Sequence, residues 1–152
     1  MKYSLTKHYK YKLEENYLRE TNITGFTFDT PYYSMLDDGK FLVKKSYTWD
    51  GSSVPHKKLI RVLSLWTYNP DRHCKIASLI HDALCQAMRE GLLLARYKLQ
   101  ADMLYQDMCL EGGMGGKQAM KRYWALRKFG NSGIEPEENP RNKIYDTGKE
   151  GK

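Results

Sequence analysis

Tyr47-Thr48-Trp49-Asp50-Gly51-Ser52-Ser53-Val54-Pro55 is the stretch at which the chain changes its period. Upstream, apolar residues alternate with polar ones, as in half-buried strands; downstream they recur at helical spacing. Gly51 and Pro55 stop regular structure between the two regimes. Tyr9-Lys10-Tyr11-Lys12-Leu13 alternates and reads as a strand, and Phe26-Thr27-Phe28 as a shorter one. Tyr32-Tyr33-Ser34-Met35-Leu36 and Lys40-Phe41-Leu42-Val43 flank Asp37-Asp38-Gly39, whose Asp-Gly step supplies the positive φ of a tight hairpin. Tyr47-Thr48-Trp49 then ends the sheet.

Past Pro55, Leu59, Leu63 and Trp66 lie on one face of a short helix. A second helix opens at Pro70-Asp71, carries Ile76, Ala77, Ile80, Leu84 and Met88, and ends near Gly91. A third runs from about Leu93 to Gly112-Gly113 and holds Leu94, Leu99, Met103 and Leu110. A fourth, about Lys117 to Phe129, is expected to turn Met120, Tyr123, Trp124 and Leu126 inward and its basic residues outward. Strands followed by helices make an α+β fold: antiparallel strands and a hairpin over about 1–50, then a helical half with two long antiparallel helices. Residues 1–130 form one domain, and 131–152, with Pro136, Pro140 and no apolar period, read as a flexible, disordered tail.

The chain has 152 residues, 41% of them apolar and 28% charged, with a formal charge of +7. That excludes an intrinsically disordered chain, and no apolar run approaches the roughly 20 residues of a membrane span. Met1-Lys2-Tyr3-Ser4-Leu5-Thr6-Lys7-His8 lacks the apolar core of a secretory signal. Cys74, Cys85 and Cys109 are too few and too scattered for a disulfide scaffold or a zinc knuckle, so a reducing intracellular setting is expected. The charge is uneven: residues 55–75 carry a local +4, residues 115–130 a local +5 with no acid, and residues 76–114 between them −2. Two basic blocks around an acidic middle suit an anionic partner or simply two solvated helix faces.

That middle contains His81-Asp82 and, on the next helix, Asp102. Consecutive helices joined by a short Gly-containing turn are antiparallel neighbours, in which facing residues share an index sum. His81 with Asp102 and Cys74 with Cys109 have the same sum, so both pairs are expected on one seam. A carboxylate beside a histidine fixes its tautomer and stabilises the imidazolium, freeing the other nitrogen to take a proton from water. Asp82 projects about 100° around the helix from His81 and, with Asp50 and loop carbonyl oxygens, makes a candidate site for a hard cation such as Ca²⁺. The plainer alternatives stand beside these: Asp50-Gly51-Ser52-Ser53 as an Asx-type turn, Arg96 as an ion-pair partner, Cys74 and Cys109 as buried thiols. Cys85 lies one turn from His81, and His8, His56 and His73 share no metal-ligand spacing.

The order Trp49-Asp50-Gly51-Ser52-Ser53-Val54-Pro55, His81-Asp82, Arg96 and Ala101-Asp102 resembles the phage and prophage family called domain of unknown function 1353, over roughly residues 25–130. The same order is similar, at about ten positions, to the short prokaryotic members of the secreted phospholipase A2 enzymes. That second resemblance implies His81 as general base, Asp102 as its partner, and Asp50, the Gly51 carbonyl and Asp82 as ligands of Ca²⁺. It implies attack of water on an ester carbonyl, at an anionic lipid surface. The chain departs from both patterns in having Cys85 where a tyrosine is expected, and it lacks the enzymes' export signal and disulfides. The expectation is therefore a phage-encoded calcium-dependent ester hydrolase in the host cytoplasm or virion. The alternative is a non-catalytic virion or accessory protein contacting a phage or host protein. Nucleic acid ranks last, because no helix-turn-helix, zinc or RNA-binding signature accompanies the basic segments.

Overall fold

The computed structural model describes residues 1–51 and 71–135, Asp71 and Ser132 by their backbone alone. Seven short strands come first: β1 (Tyr3–Leu5), β2 (Tyr11–Leu13), β3 (Tyr17–Glu20), β4 (Phe28–Asp29), β5 (Tyr33–Met35), β6 (Lys40–Val43) and β7 (Thr48–Trp49). They form two antiparallel sheets, one ordered β1-β2-β7 and the other β3-β6-β5-β4. Helices α1 (Asp71–Arg89), α2 (Lys98–Glu111) and α3 (Gly116–Phe129) follow, with 3-10 turns at Ala95–Tyr97 and Asn131–Ile134. The fold is α+β, as the change of period predicts.

Alternation does in the strands what the pattern requires. Tyr11 and Leu13 are buried around Lys12, Tyr33 and Met35 around Ser34, and Phe41 and Val43 around Leu42. The β5–β6 hairpin pairs Met35 with Phe41 and Tyr33 with Val43. Its Gly39 adopts φ +87° and a Cβ there would lie 2.6 Å from the Thr21 carbonyl oxygen, so only glycine fits this corner. Two strands escaped the sequence pattern. Tyr3–Leu5 buries no side chain fully, and Tyr17–Glu20 sends only half-buried residues inward, so neither shows a clear apolar alternation.

Helix α1 is the central element, buried nearly all round from Cys74 to Met88. The sheets meet it through polar tips on aromatic side chains. Trp49 Nε1 donates to Ser78 Oγ at 3.2 Å, Tyr47 Oη donates to Gln86 Oε1 at 3.1 Å, and Tyr33 Oη donates to Glu90. Each lets a bulky ring enter the core without leaving its donor unpaired.

α1 and α2 pack antiparallel, joined through Gly91 and the 3-10 turn. At the end of their seam the chains nearly touch: a Cβ on Gly112 would fall 2.0 Å from the His73 carbonyl oxygen. His73 Nδ1 also lies 2.8 Å from the Gly112 carbonyl oxygen. The neighbouring Cys74 leaves helical geometry (φ −120°, ψ 16°), which kinks the first turn. Cys74 and Cys109 meet as expected, as buried thiols not joined by a disulfide. The hydrogen bond between them, with burial, pushes the Cys109 thiol far above its usual range.

α2 starts at Lys98 behind the 3-10 turn, later than the expected Leu93, and the structure corrects the inward face read for α3. The stripe Leu99, Met103 and Leu110 faces outward; Ala101, Tyr105, Met108 and Cys109 face inward together with Lys98 and Asp102. An ion pair buried against α1 has displaced the apolar stripe from the core side. On α3, Met120 and Trp124 are not inward: they are 46% and 62% exposed. Leu126 does pack on the core as expected and Tyr123 is half-buried; Ala119 is buried beside them, and one member of the basic cluster, Arg127, turns inward.

The packed chain also runs past residue 130. Asn131–Ile134 forms a turn in which the Gly133 carbonyl accepts from Arg89, and Ile134 packs on the core. The expected helix of Leu59, Leu63 and Trp66, the Ser52–Pro55 part of the connecting loop and residues 136–152 lie outside the described residues. Among the described residues no helix is long and apolar enough to cross a membrane.

Candidate functional site

Asp102 sits at the middle of α2 with no solvent exposure. Its Oδ1 receives His81 Nε2 from α1 at 2.7 Å and Lys98 Nζ, one turn earlier on its own helix, at 2.5 Å. Its Oδ2 accepts from Arg127 of α3 at 3.1 Å. Three elements thus converge on one carboxylate. Burial alone would raise its pKa, but the hydrogen bonds from His81 and Lys98 outweigh that and hold it below the usual carboxylate range. The Lys98 ammonium also lies beside Gly130, at the negative end of the α3 dipole.

A carboxylate only accepts, so the bond to Asp102 places a proton on His81 Nε2 and leaves Nδ1 as the other face of the ring. Nδ1 looks toward Cys85 Sγ at 3.7 Å and Asp82 Oδ1 at 4.0 Å, both longer than a strong hydrogen bond to nitrogen. The Tyr105 ring packs edge-on against the imidazole, centroids 5.4 Å apart. Burial penalises the imidazolium, yet the sulfur of Cys85, the hydrogen bond of Asp102 and the nearby carboxylate of Asp82 prevail and raise His81 well above its ordinary pKa.

Asp82 lies four residues beyond Ser78, whose hydroxyl holds Trp49, so it projects toward the end of β7 where Asp50 follows. Its side chain is 37% exposed. Burial is the largest influence on its pKa and raises it; His81 and Arg89 pull it down, and the negative charge of Asp50 pushes it up again. Asp50 is exposed and its Oδ1 accepts the Lys10 amide at 3.2 Å. Gly51 sits at φ +76°, the left-handed region that favours glycine.

Among the described residues no three His, Cys, Asp or Glu side chains come together as a ligand set for a metal. The Asp50 carboxylate is near enough to Asp82 for its charge to raise the Asp82 pKa, and Gly51 follows Asp50 in the chain. In charge and donor type that pair fits a hard cation completed by carbonyl oxygens and water, and calcium accepts such a set.

The expected dyad of His81 and Asp102 is formed, on the expected seam. Sequence reasoning missed Lys98, Arg127 and Tyr105. Lys98 had a signal, its i,i+4 spacing from Asp102. Arg127 had none, because five basic residues in a row of turns look alike from sequence. Arg96, expected as an ion-pair partner, instead stacks on the Tyr97 ring with its guanidinium 5.3 Å from the centroid. No protein-family model matches the chain, and no curated protein or solved structure is significantly similar to it.

Proposed function

We propose that this is a bacteriophage-encoded ester hydrolase of the phospholipase A2-like kind, using Ca²⁺ at an anionic lipid surface and working in the host cytoplasm or virion. The observation that carries the reading is the buried His81 Nε2–Asp102 Oδ1 bond of 2.7 Å, with the opposite ring nitrogen on the side of Asp82. Asp102 keeps the proton on Nε2, so Nδ1 is the basic atom; it accepts a proton only above the raised pKa of His81, which places the activity on the alkaline side. As a water oxygen attacks the ester carbonyl carbon, His81 takes the water proton at Nδ1, and Asp102 stabilises the imidazolium. The same proton passes to the departing alkoxide oxygen as the carbon–oxygen bond breaks. Ca²⁺, held by Asp50, Asp82 and the Gly51 carbonyl, would polarise the carbonyl and neutralise charge on its oxygen.

A second reading, a non-catalytic virion or accessory protein on the same scaffold with a phage or host protein as partner, is favoured by one observation. Asp102 is shared by Lys98 and Arg127 as well as His81, and Cys85 Sγ packs against the free ring nitrogen. A carboxylate so fully paired is what a structural ion network requires.

The two separate on phosphatidylglycerol vesicles. The hydrolase reading expects fatty acid release in Ca²⁺, none in a chelator, and a loss of roughly 100-fold or more in His81→Gln. It also expects Ca²⁺ to raise the melting temperature of the wild type and not of Asp82→Asn. Absence of release by wild type in Ca²⁺ would leave the scaffold reading.

A further inference from the structure

Helix α3 presents to solvent a surface that the hydrolytic chemistry does not use. At 100° per residue, Lys117, Lys121, Trp124 and Lys128 fall within an arc of about 60° that lies opposite the buried Ala119. Trp124 is the most exposed aromatic residue among those described, at 62%, and Met120 borders the same arc. The turn at Gly112–Gly115 makes α2 and α3 antiparallel neighbours, and Gln106 Nε2 touches Met120 Sδ at 3.8 Å. That register sets the exposed Met103 level with Tyr123 and Trp124, so the apolar strip continues onto α2. No acid lies between residues 115 and 130.

We propose that this α2–α3 face docks the protein on an anionic lipid bilayer, with Trp124 and Met120 entering the headgroup boundary and Lys117, Lys121 and Lys128 on the phosphates. An amphipathic basic helix with a central tryptophan has the composition of an interfacial anchor. Nucleic acid would use the lysines but leave the exposed Trp124, Met120 and Met103 without an apolar environment. The bilayer takes both. The docking shares with the proposed function only its lipid surface and needs no step of its chemistry. It does share a helix with the site, since α3 carries Arg127 to Asp102 on its inner side.

The test is co-sedimentation of the full chain with vesicles of phosphatidylcholine alone and of phosphatidylcholine with an equal amount of phosphatidylglycerol. Binding to the mixed vesicles, weakened by salt and weak or absent on the neutral ones, is expected. The triple variant Lys117→Gln, Lys121→Gln, Lys128→Gln should bind roughly 100-fold more weakly at an unchanged melting temperature. Tryptophan emission should shift to the blue on binding, and the shift should shrink in Trp124→Phe. His81→Gln should bind as wild type, so a failure of hydrolysis with binding intact removes only the hydrolytic reading. Equal binding to both vesicles, no binding, an undiminished shift in Trp124→Phe, or tighter binding to duplex DNA at the same salt would overturn the docking.

Discussion

Arg127 reaches inward from α3 to Asp102 Oδ2, 3.1 Å away, while His81 and Lys98 occupy Oδ1 of the same carboxylate. Asp102 therefore joins α1, α2 and α3 at one buried point. Two permanent cations and a histidine on one anion leave the cluster with surplus positive charge, and the carboxylate is what makes that charge tolerable in the interior.

Removing the anion should be costly. Asp102→Ala leaves Lys98 buried and Arg127 partly buried without their counter-charge, a situation that costs about 3–5 kcal/mol. Urea unfolding would show it as a lower midpoint at an unchanged slope. The double variant with Lys98→Met should lose less than the sum of the single changes, because the two share one interaction.

The same carboxylate sets an acid limit. Its folded pKa lies below the unfolded value, so the unfolded chain binds the proton first as pH falls. Its contribution is full above the ordinary carboxylate range of about 4 and is lost as pH drops through the folded value. Urea midpoints between about pH 6 and pH 2 should therefore fall less steeply in Asp102→Asn than in wild type.

Gly112→Ala addresses the α1–α2 seam separately from the charges. The added methyl would meet the His73 carbonyl oxygen at 2.0 Å, so the helix ends must part. A loss of roughly 1–3 kcal/mol is expected, the range for overpacking a tight site. Gly115→Ala, where a Cβ meets nothing within 4 Å, is the control and should be close to neutral.

Cys85 distinguishes a water from a thiol as the attacking group. Its sulfur is 3.7 Å from His81 Nδ1, and the hydrolytic reading assigns it only packing. Cys85→Ala should then keep ester release within a few-fold of wild type and lower stability by about 1 kcal/mol. Loss of release in Cys85→Ala together with acylation of Cys85 in the wild type, read by mass spectrometry, would transfer the chemistry to the thiol.

The residues that announced themselves in the sequence were those whose neighbours are local or periodic. The Asp-Gly hairpin, the alternation in β2, β5 and β6, and the antiparallel α1–α2 seam all follow from spacing, and the seam carried His81 to Asp102. What spacing could not supply was the direction of α2 and α3. Leu99, Met103 and Leu110 form as good an apolar stripe as the true inner face, and only the tertiary partners of Lys98 and Asp102 decide between them. Trp124 points outward for a related reason: Arg127 is drawn in by a carboxylate on another helix, which fixes the rotation of α3.

Ser78, Gln86 and Glu90 take their hydrogen bonds from Trp49, Tyr47 and Tyr33, spread across both sheets. Ser78 and Gln86 on α1, and Glu90 one residue past its end, fall within about 120° of rotation, and His81 lies about 60° outside that sector. The sheets thus act on α1 as keys on a shaft. Turning the helix by one residue would disengage all three at once, and that indexing is what aims the imidazole at α2. The strand half, which supplies no group to the His81–Asp102 pair, sets the angle at which the pair meets.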